Sequence, residues 1–303
     1  MTELTVLQHD LAQLELPCAL KYNEPMNSHT SFRIGGPVEV MACPENTDEL
    51  SQLLQAAAKL GVKPRILGAG TTVLAPDEGI SGLVVCLKDC LDGMELLEND
   101  RIRVMAGVTM TRAAVFAANQ GLGGFEFAHG IPGTVGGGVY MNAGAYGGEI
   151  KDVAESVEIM DIHGNVRVLS NEEMEFSYRH SRLEESGEIV VSATFRLIPT
   201  PAEEVKAKMK ELQAKRSASQ PLDLPSAGSA FKRPVGGYAA ALIDQAELKG
   251  YQVGGAAIST KHAGFAVNVG GATAADVKKL LQDVSDMVFE KSGIRLEPEV
   301  RIW

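Results

Sequence analysis

GIPGTVGGGVYMNAGAYGGE, residues 130–149, is the stretch on which the fold reading turns. Glycines at 130, 133, 136–138, 144, 147 and 148 stand among alanine, threonine and valine. Ordering so many glycines costs more chain entropy than ordering other residues, which implies a backbone that something must approach closely. Pro132 fixes one dihedral near the start. The segment reads as a loop offering bare backbone to a flat or charged ligand; a plain glycine-rich connection between strands is the alternative.

Upstream, GAGTT (68–72) directly follows the short strand pattern VKPRIL. Its small residues let backbone N–H groups turn toward an anion. A dinucleotide fingerprint G-x-G-x-x-G is absent because Val73 occupies the third glycine position, and no G-x-x-x-x-G-K-[ST] exists. Alone, GAGTT fits a tight turn as well as an anion cradle. Two such loops in one domain suggest a long ligand lying across both, such as a dinucleotide cofactor.

The flanking patterns mix periods. Residues 46–61 predict a helix, with Asn46 as cap, Glu49 three residues on, and Leu50, Leu53, Leu54 and Ala57 as an apolar stripe before Gly61. Residues 109–120 predict another, ending at Gly121. LVVCL, RIRVMAG, SVEIMDI and EIVVSATFRL read as strands, with Gly164-Asn165 where a turn is needed. The two prolines of PTPAEEVKAKMKELQAKR open a charged helix and mark the main domain boundary near residue 200. Beyond it, an amphipathic helix over 274–291 shares Val277, Leu280, Leu281, Val284 and Val288 on one face. The class is α+β in at least two domains, 1–200 (core about 25–198) and 201–303.

Composition excludes several classes. The chain has 303 residues, 45% hydrophobic and 22% charged, with formal net charge −11. That balance is globular, and the charge argues against nonspecific binding to nucleic acid or to an anionic membrane. The first twenty residues show no basic region followed by an apolar stretch, and no apolar run is long enough to span a bilayer, so neither export nor membrane insertion is expected. Cys18, Cys43, Cys86 and Cys90 match no zinc framework, which predicts reduced structural thiols and no metal.

Four polar segments carry candidate chemistry. FSYRHS (176–181) sets Arg179 beside Tyr178, a pairing able to hold a carboxylate or simply to form a surface salt bridge. SAGSAFKRP (226–234) presents Ser226 and Ser229 near Lys232 and Arg233 between two prolines; it is either a constrained turn or a proton-donating and anion-binding site. LEPEVRIW (296–303) alternates, placing Glu297, Glu299 and Arg301 on one face of a strand that is either solvated or turned toward a site. STKHAGF (259–265) adds Lys261 and His262, as surface cations or phosphate contacts.

Taken in order, NSHTSFRIGG (27–36), GAGTTVLAPDEGISGLVV (68–85), GIPGTVGGGVYMNAGAYGGEI (130–150), YRHS (178–181), PSAGSAFKRP (225–234), ALIDQAELKG (241–250), STKHAGF (259–265) and EPEVR (297–301) resemble the UDP-N-acetylenolpyruvoylglucosamine reductase family. The resemblance covers nearly the whole chain. It implies a vanillyl-alcohol-oxidase (PCMH-type) FAD-binding domain of two α+β subdomains and a C-terminal α+β domain for the substrate. It implies non-covalent FAD, NADPH as hydride donor, and UDP-N-acetylglucosamine enolpyruvate as the group reduced, in cytoplasmic peptidoglycan precursor synthesis. No His or Cys lies inside either glycine loop except His129 at the edge of the second, in keeping with a non-covalent flavin.

Residue by residue, the resemblance makes Arg179, Ser229 and Glu299 catalytic: Arg179 steadies the enol intermediate, Ser229 donates the proton, and Glu299 assists as an acid. It assigns Gly68, Ala69, Gly70, Thr71, Thr72, Ile131, Pro132, Gly133, Thr134, Gly136, Gly137, Asn142, Ala143 and Gly144 to FAD, and Tyr146, Tyr178, Lys232, Lys261 and Arg301 to the substrate. Thr71 and Thr72 stand where the family usually carries Ser-Asn, so Thr72 lacks an amide. Gly138 and Glu247 replace a common alanine and a frequent glycine. YRHS runs on into EIVVSATFRL with no room for the substrate-capping tyrosine loop of some members, which predicts the shorter subtype. A monomer is expected. An FAD oxidase of another substrate, or a non-catalytic flavin-binding protein, would share the glycine loops without needing Arg179, Ser229 and Glu299 together.

Overall fold

The computed structural model describes residues 4–303. The chain forms two compact units. The first takes residues up to Tyr22, Glu39–Ala69 and Gly82–Ala214; the second takes Asn23–Val38, Gly70–Ser81 and Lys215–Trp303.

In the first unit a four-stranded sheet has the order Ala19–Pro25, Pro37–Cys43, Ile80–Cys86, Arg65–Leu67. Between its second strand and Arg65–Leu67 runs the helix Thr47–Lys59. Asn46 caps this helix as expected, its side chain accepting from Glu49 N at 2.9 Å. Leu50, Leu53, Leu54 and Ala57 are all buried against the core. A five-stranded antiparallel sheet follows, ordered Val166–Ser170, Ala154–Met160, Ile189–Arg196, Arg101–Met105, Met94–Leu97. The hairpin between Ala154–Met160 and Val166–Ser170 closes on Asp161, whose Oδ1 accepts the N–H groups of His163 and Asn165. An Asx-type turn at the expected Gly164-Asn165 position therefore sets that register. All four cysteines are free thiols; burial is the main cause that pushes Cys18 up to about 11, and hydrogen bonds to Cys43 push Cys86 and Cys90 up.

The second unit is built on an antiparallel sheet ordered Ser226–Ser229, Phe265–Asn268, Ala256–Ile258, Gln252–Val253. The helix Ala274–Ser292 buries Val277, Leu280, Leu281, Val284 and Val288, the face read from sequence. Thr273 and Asp276 form a capping box at its start, and Asp77 adds a second cap from far along the chain. Both carboxylate oxygens of Asp77 accept helix N–H groups, Ala274 at 2.7 Å and Ala275 at 3.1 Å. A carboxylate there satisfies orphan donors and suits the positive end of the helix dipole. Phe32, Ile34 and Leu74 join the same hydrophobic core, and Asn268 Nδ2 donates to Phe32 O at 3.0 Å.

The C-terminal segment differs from the continuous alternating strand expected. Phe231 and Pro298 form an isolated bridge, a bend follows at Val300, and only Arg301–Ile302 is a strand, parallel to Val73–Leu74. Pro298 has no N–H to give a ladder, which limits pairing at that point. Among the described residues no helix is long and apolar enough to cross a membrane.

Replacing Asp77 by Ala should cost about 1 kcal/mol, the usual worth of a helix cap. Urea unfolding of the full chain should show the lowered midpoint, with Asp77→Asn recovering part of it. An unchanged midpoint for Asp77→Ala would show that the long-range cap adds nothing.

Candidate active site

The start of the first glycine loop, Gly68 and Ala69, meets the second loop inside the first unit. A Cβ on Gly68 would lie 2.5 Å from Thr134 Oγ1, so only glycine permits this approach. Segment 133–136 is laid along segment 106–110: Met110 N donates to Gly133 O at 2.9 Å, Val135 N to Val108 O at 2.8 Å, and Gly136 N to Ala106 O at 2.9 Å. Gly136 and Gly138 face protein rather than open space, since a Cβ on them would meet Ala106 Cβ at 2.9 Å and Met110 Sδ at 2.8 Å. Gly137 is the exposed one of the three, and its N–H donates to Thr134 Oγ1 at 3.4 Å. The result is backbone from two loops packed around the buried Thr134 hydroxyl, with Gly137 left exposed, and such bare backbone suits the close approach of an anionic cofactor.

Next to this lies a strained polar cluster in the same unit. Asn142, Tyr146 and Arg179 all have positive φ, +43°, +53° and +57°, which non-glycine residues seldom adopt. Ser177 and His180 exchange backbone hydrogen bonds at 3.1 and 3.2 Å, closing a tight turn with Tyr178 and Arg179 at its tip. The Arg179 guanidinium lies 5.1 Å from the Tyr178 ring centroid, and its Nη2 is 3.4 Å from Gly144 O. Tyr146 and Tyr178 are exposed, while Arg179 is half-buried. His180 faces Glu184 at 3.2 Å and Glu185 at 3.6 Å, a surface ion-pair setting rather than that of a general base.

In the second unit, Ser229 sits at a β-bulge. Ser226 pairs with Val267 and Ser229 with Phe265, so three steps on one strand match two on the other. Gly228, at φ +75°, absorbs the extra residue. The bulge places Ser226 and Ser229 opposite two residues of one face, where regular alternation would put them on opposite faces. An isolated glycine inside a strand pattern is the sequence signal for such a bulge, and Gly228 carries it. Glu299 is brought beside Ser229 through backbone pairing: Glu299 N donates to Ala230 O at 2.9 Å and Lys232 N to Glu297 O at 2.8 Å. Arg301 N donates to Thr72 O at 2.7 Å, tying the chain end to the first glycine loop.

Gly70, Thr71 and Thr72 belong to this second unit, Gly68 and Ala69 to the first. Ser31 N donates to Gly70 O at 3.1 Å, and Ser31 Oγ donates to Ser226 O at 2.5 Å. The segment NSHTS thereby joins GAGTT to the serine strand. Lys232 pairs with Glu297 at 2.5 Å, and Lys261 Nζ donates to Ser217 O at 2.7 Å, in the last turn of the helix Ala202–Ser219. His262 is half-buried; desolvation lowers its pKa, and its Nδ1 accepts from Gly264 N at 3.1 Å.

Comparison with known proteins settles the family. Residues 220–303 match the model of the UDP-N-acetylenolpyruvoylglucosamine reductase C-terminal domain, and residues 38–170 match an FAD binding domain. A UDP-N-acetylenolpyruvoylglucosamine reductase of Caldanaerobacter subterraneus subsp. tengcongensis is 48% identical over 283 residues, 93% of each chain. The chain belongs to this reductase family. The crystal structure of the reductase from Thermus caldophilus superposes with TM-score 0.80 at 35% identity, covering 94% of this chain and 98% of that one. A chitooligosaccharide oxidase shares the fold at TM-score 0.52 and 16% identity, over 97% of this chain and 60% of that one. The expected architecture, an FAD-binding domain of this oxidase type followed by the reductase C-terminal domain, is the one found, and the protein is an FAD-dependent oxidoreductase.

Gly68→Val should drive a side chain into Thr134 and lower FAD affinity by on the order of tenfold or more, about 1.4 kcal/mol. Gly237→Ala, a position with nothing within 4 Å of the added Cβ and no left-handed φ, serves as the control for glycine loss alone. FAD content after purification and equilibrium titration read the difference; full retention by Gly68→Val would break the link between this contact and the cofactor.

Proposed function

We propose that this chain reduces the enolpyruvyl group of UDP-N-acetylglucosamine enolpyruvate to the lactyl ether of UDP-N-acetylmuramate, using NADPH, in the cytoplasmic synthesis of peptidoglycan precursor. The observation that carries the reading is the Ser229 bulge paired to the Glu299 segment in a chain 48% identical to a reductase of that name.

Bound FAD supplies two-electron transfer between the nicotinamide donor and the vinyl ether. Gly68, Ala69 and Gly137, with the rest of the two loops, would hold it through backbone, and Thr134 would fix the loop from within. Arg179 binds the substrate carboxylate, which gathers negative charge once the methylene carbon has been reduced. A guanidinium matches a carboxylate in a bidentate fork and stays charged throughout. Its attraction is greatest after that charge has formed, so it favours the transition state over the ground state.

Ser229 then donates its proton to the carbon bearing the ether oxygen. A hydroxyl is a weak acid in water, and the half-buried setting of Ser229 next to the paired Glu299 segment is what would polarise it. Glu299 assists by presenting a carboxyl to the same centre. Tyr146, Tyr178, Lys232, Lys261 and Arg301 are assigned to the UDP-sugar, with Lys232 and Lys261 exchanging their present protein partners for it.

The purified protein should carry flavin absorbance and oxidise NADPH in response to the enolpyruvyl substrate. Ser229→Ala should lower product formation by about 10²–10⁴-fold, the range for loss of a positioned proton donor, while flavin reduction by NADPH proceeds at the parent rate. Flavin absorbance with no response to this substrate would point to a different electron acceptor.

A further inference from the structure

The Arg179 turn is held at its two ends by buried side chains, and one of them is Asn142. Asn142 is wholly buried, and its amide is used on both sides. Its Nδ2 donates to Ser177 O at 2.9 Å and to Glu149 Oε2 at 2.7 Å, while its Oδ1 accepts from Lys151 N at 3.0 Å. On the other side of the turn, Ser181, also wholly buried, donates its Oγ to Tyr140 O at 2.7 Å. Ser177 and Ser181 stand two residues before and two after Arg179, and Tyr140 and Asn142 stand two apart on the glycine-rich segment. Each end of the turn is therefore pinned to the same short stretch of backbone.

We propose that Asn142 and Ser181 are positioning residues that fix Arg179, rather than Asn142 serving as a side-chain ligand of FAD. The inference rests on the reading of Arg179 as the substrate carboxylate's partner. With φ at +57°, Arg179 sits in a conformation the turn holds only while both ends are tied. Only an amide meets all three demands at this position, donating to a carbonyl and to the Glu149 carboxylate while accepting a backbone N–H. An aspartate at 142 would set two carboxylates together and lose both donors, and an alanine would leave Ser177 O and Lys151 N without their partner.

The test is a double-mutant cycle on the holoenzyme with Asn142→Ala, Ser181→Ala and Arg179→Ala. Three quantities are read: FAD content, the rate of flavin reduction by NADPH, and kcat/KM for UDP-N-acetylglucosamine enolpyruvate. Asn142→Ala should lower kcat/KM about ten- to a hundredfold, as loss of an orienting partner does, with FAD content and flavin reduction unchanged. In the Arg179→Ala background the same change should cost less than about threefold, because the group being positioned is gone. Asn142→Asp should be at least as damaging as Asn142→Ala.

Loss of FAD in Asn142→Ala would return the residue to the cofactor site and overturn the proposal. Equal costs with and without Arg179 would overturn it too, since they mark a general structural effect. If Asn142→Ala fails to fold, Ser181→Ala carries the same cycle, with Ser181→Thr expected to restore activity. A parent-like kcat/KM for Arg179→Ala alone would instead sink the role given to Arg179, a distinct result.

Discussion

Backbone laid directly on backbone is the constraint on which the first unit depends. Segment 133–136 hydrogen-bonds along 106–110 without side chains between them, and Gly68 reaches Thr134 only because it has no Cβ. Those contacts decide where the two glycine loops lie in that unit. They also divide the glycines into two kinds. Gly136 and Gly138 are consumed by packing against Ala106 and Met110, whereas Gly137 stays at the surface. A glycine-rich motif is thus as much a packing device as a ligand cradle, and the substitution of glycine for a common alanine at 138 fits the methionine it touches.

Strain and its relief account for much of the rest. Asn142, Glu175 and Arg179 carry left-handed backbone in or around the Arg179 turn, and the side chains that tie the turn, Asn142 and Ser181, are buried. In the second unit the awkward geometry falls instead on Gly228, where it costs little, and the gain is a serine turned to a face that regular pairing would deny it. Both units place irregular backbone near the residues assigned to chemistry.

Much of this was legible in the sequence. Asn46 with Glu49, the stripe at Leu50, Leu53, Leu54 and Ala57, and the face of the helix Ala274–Ser292 obey local periodicity and capping, and the structure follows them. The turn at Gly164-Asn165 is equally local. What could not be read depends on contacts remote in the chain. Asp77 capping a helix that begins at Ala274, Ser31 bridging Gly70 and Ser226, and the hydrogen bonds from Cys86 and Cys90 to Cys43 leave no periodic trace. The alternation of Glu297, Glu299 and Arg301 predicts a continuous terminal strand, and Pro298, which lacks an N–H, breaks its ladder.

The makeup of the second unit bears on how the molecule is born. Phe32, Ile34 and Leu74 leave the ribosome early, yet the apolar partners they are buried with lie beyond residue 225. At ordinary synthesis rates of about 5–20 residues per second, those side chains wait on the order of ten seconds or more before the sheet that shelters them exists. Pairings of such long sequence separation also slow the search for the native state. Nascent chains stalled anywhere before the last ninety or so residues would therefore present a sticky, half-built surface, and chaperone capture during translation is the expected cost of threading early segments into a late-forming core.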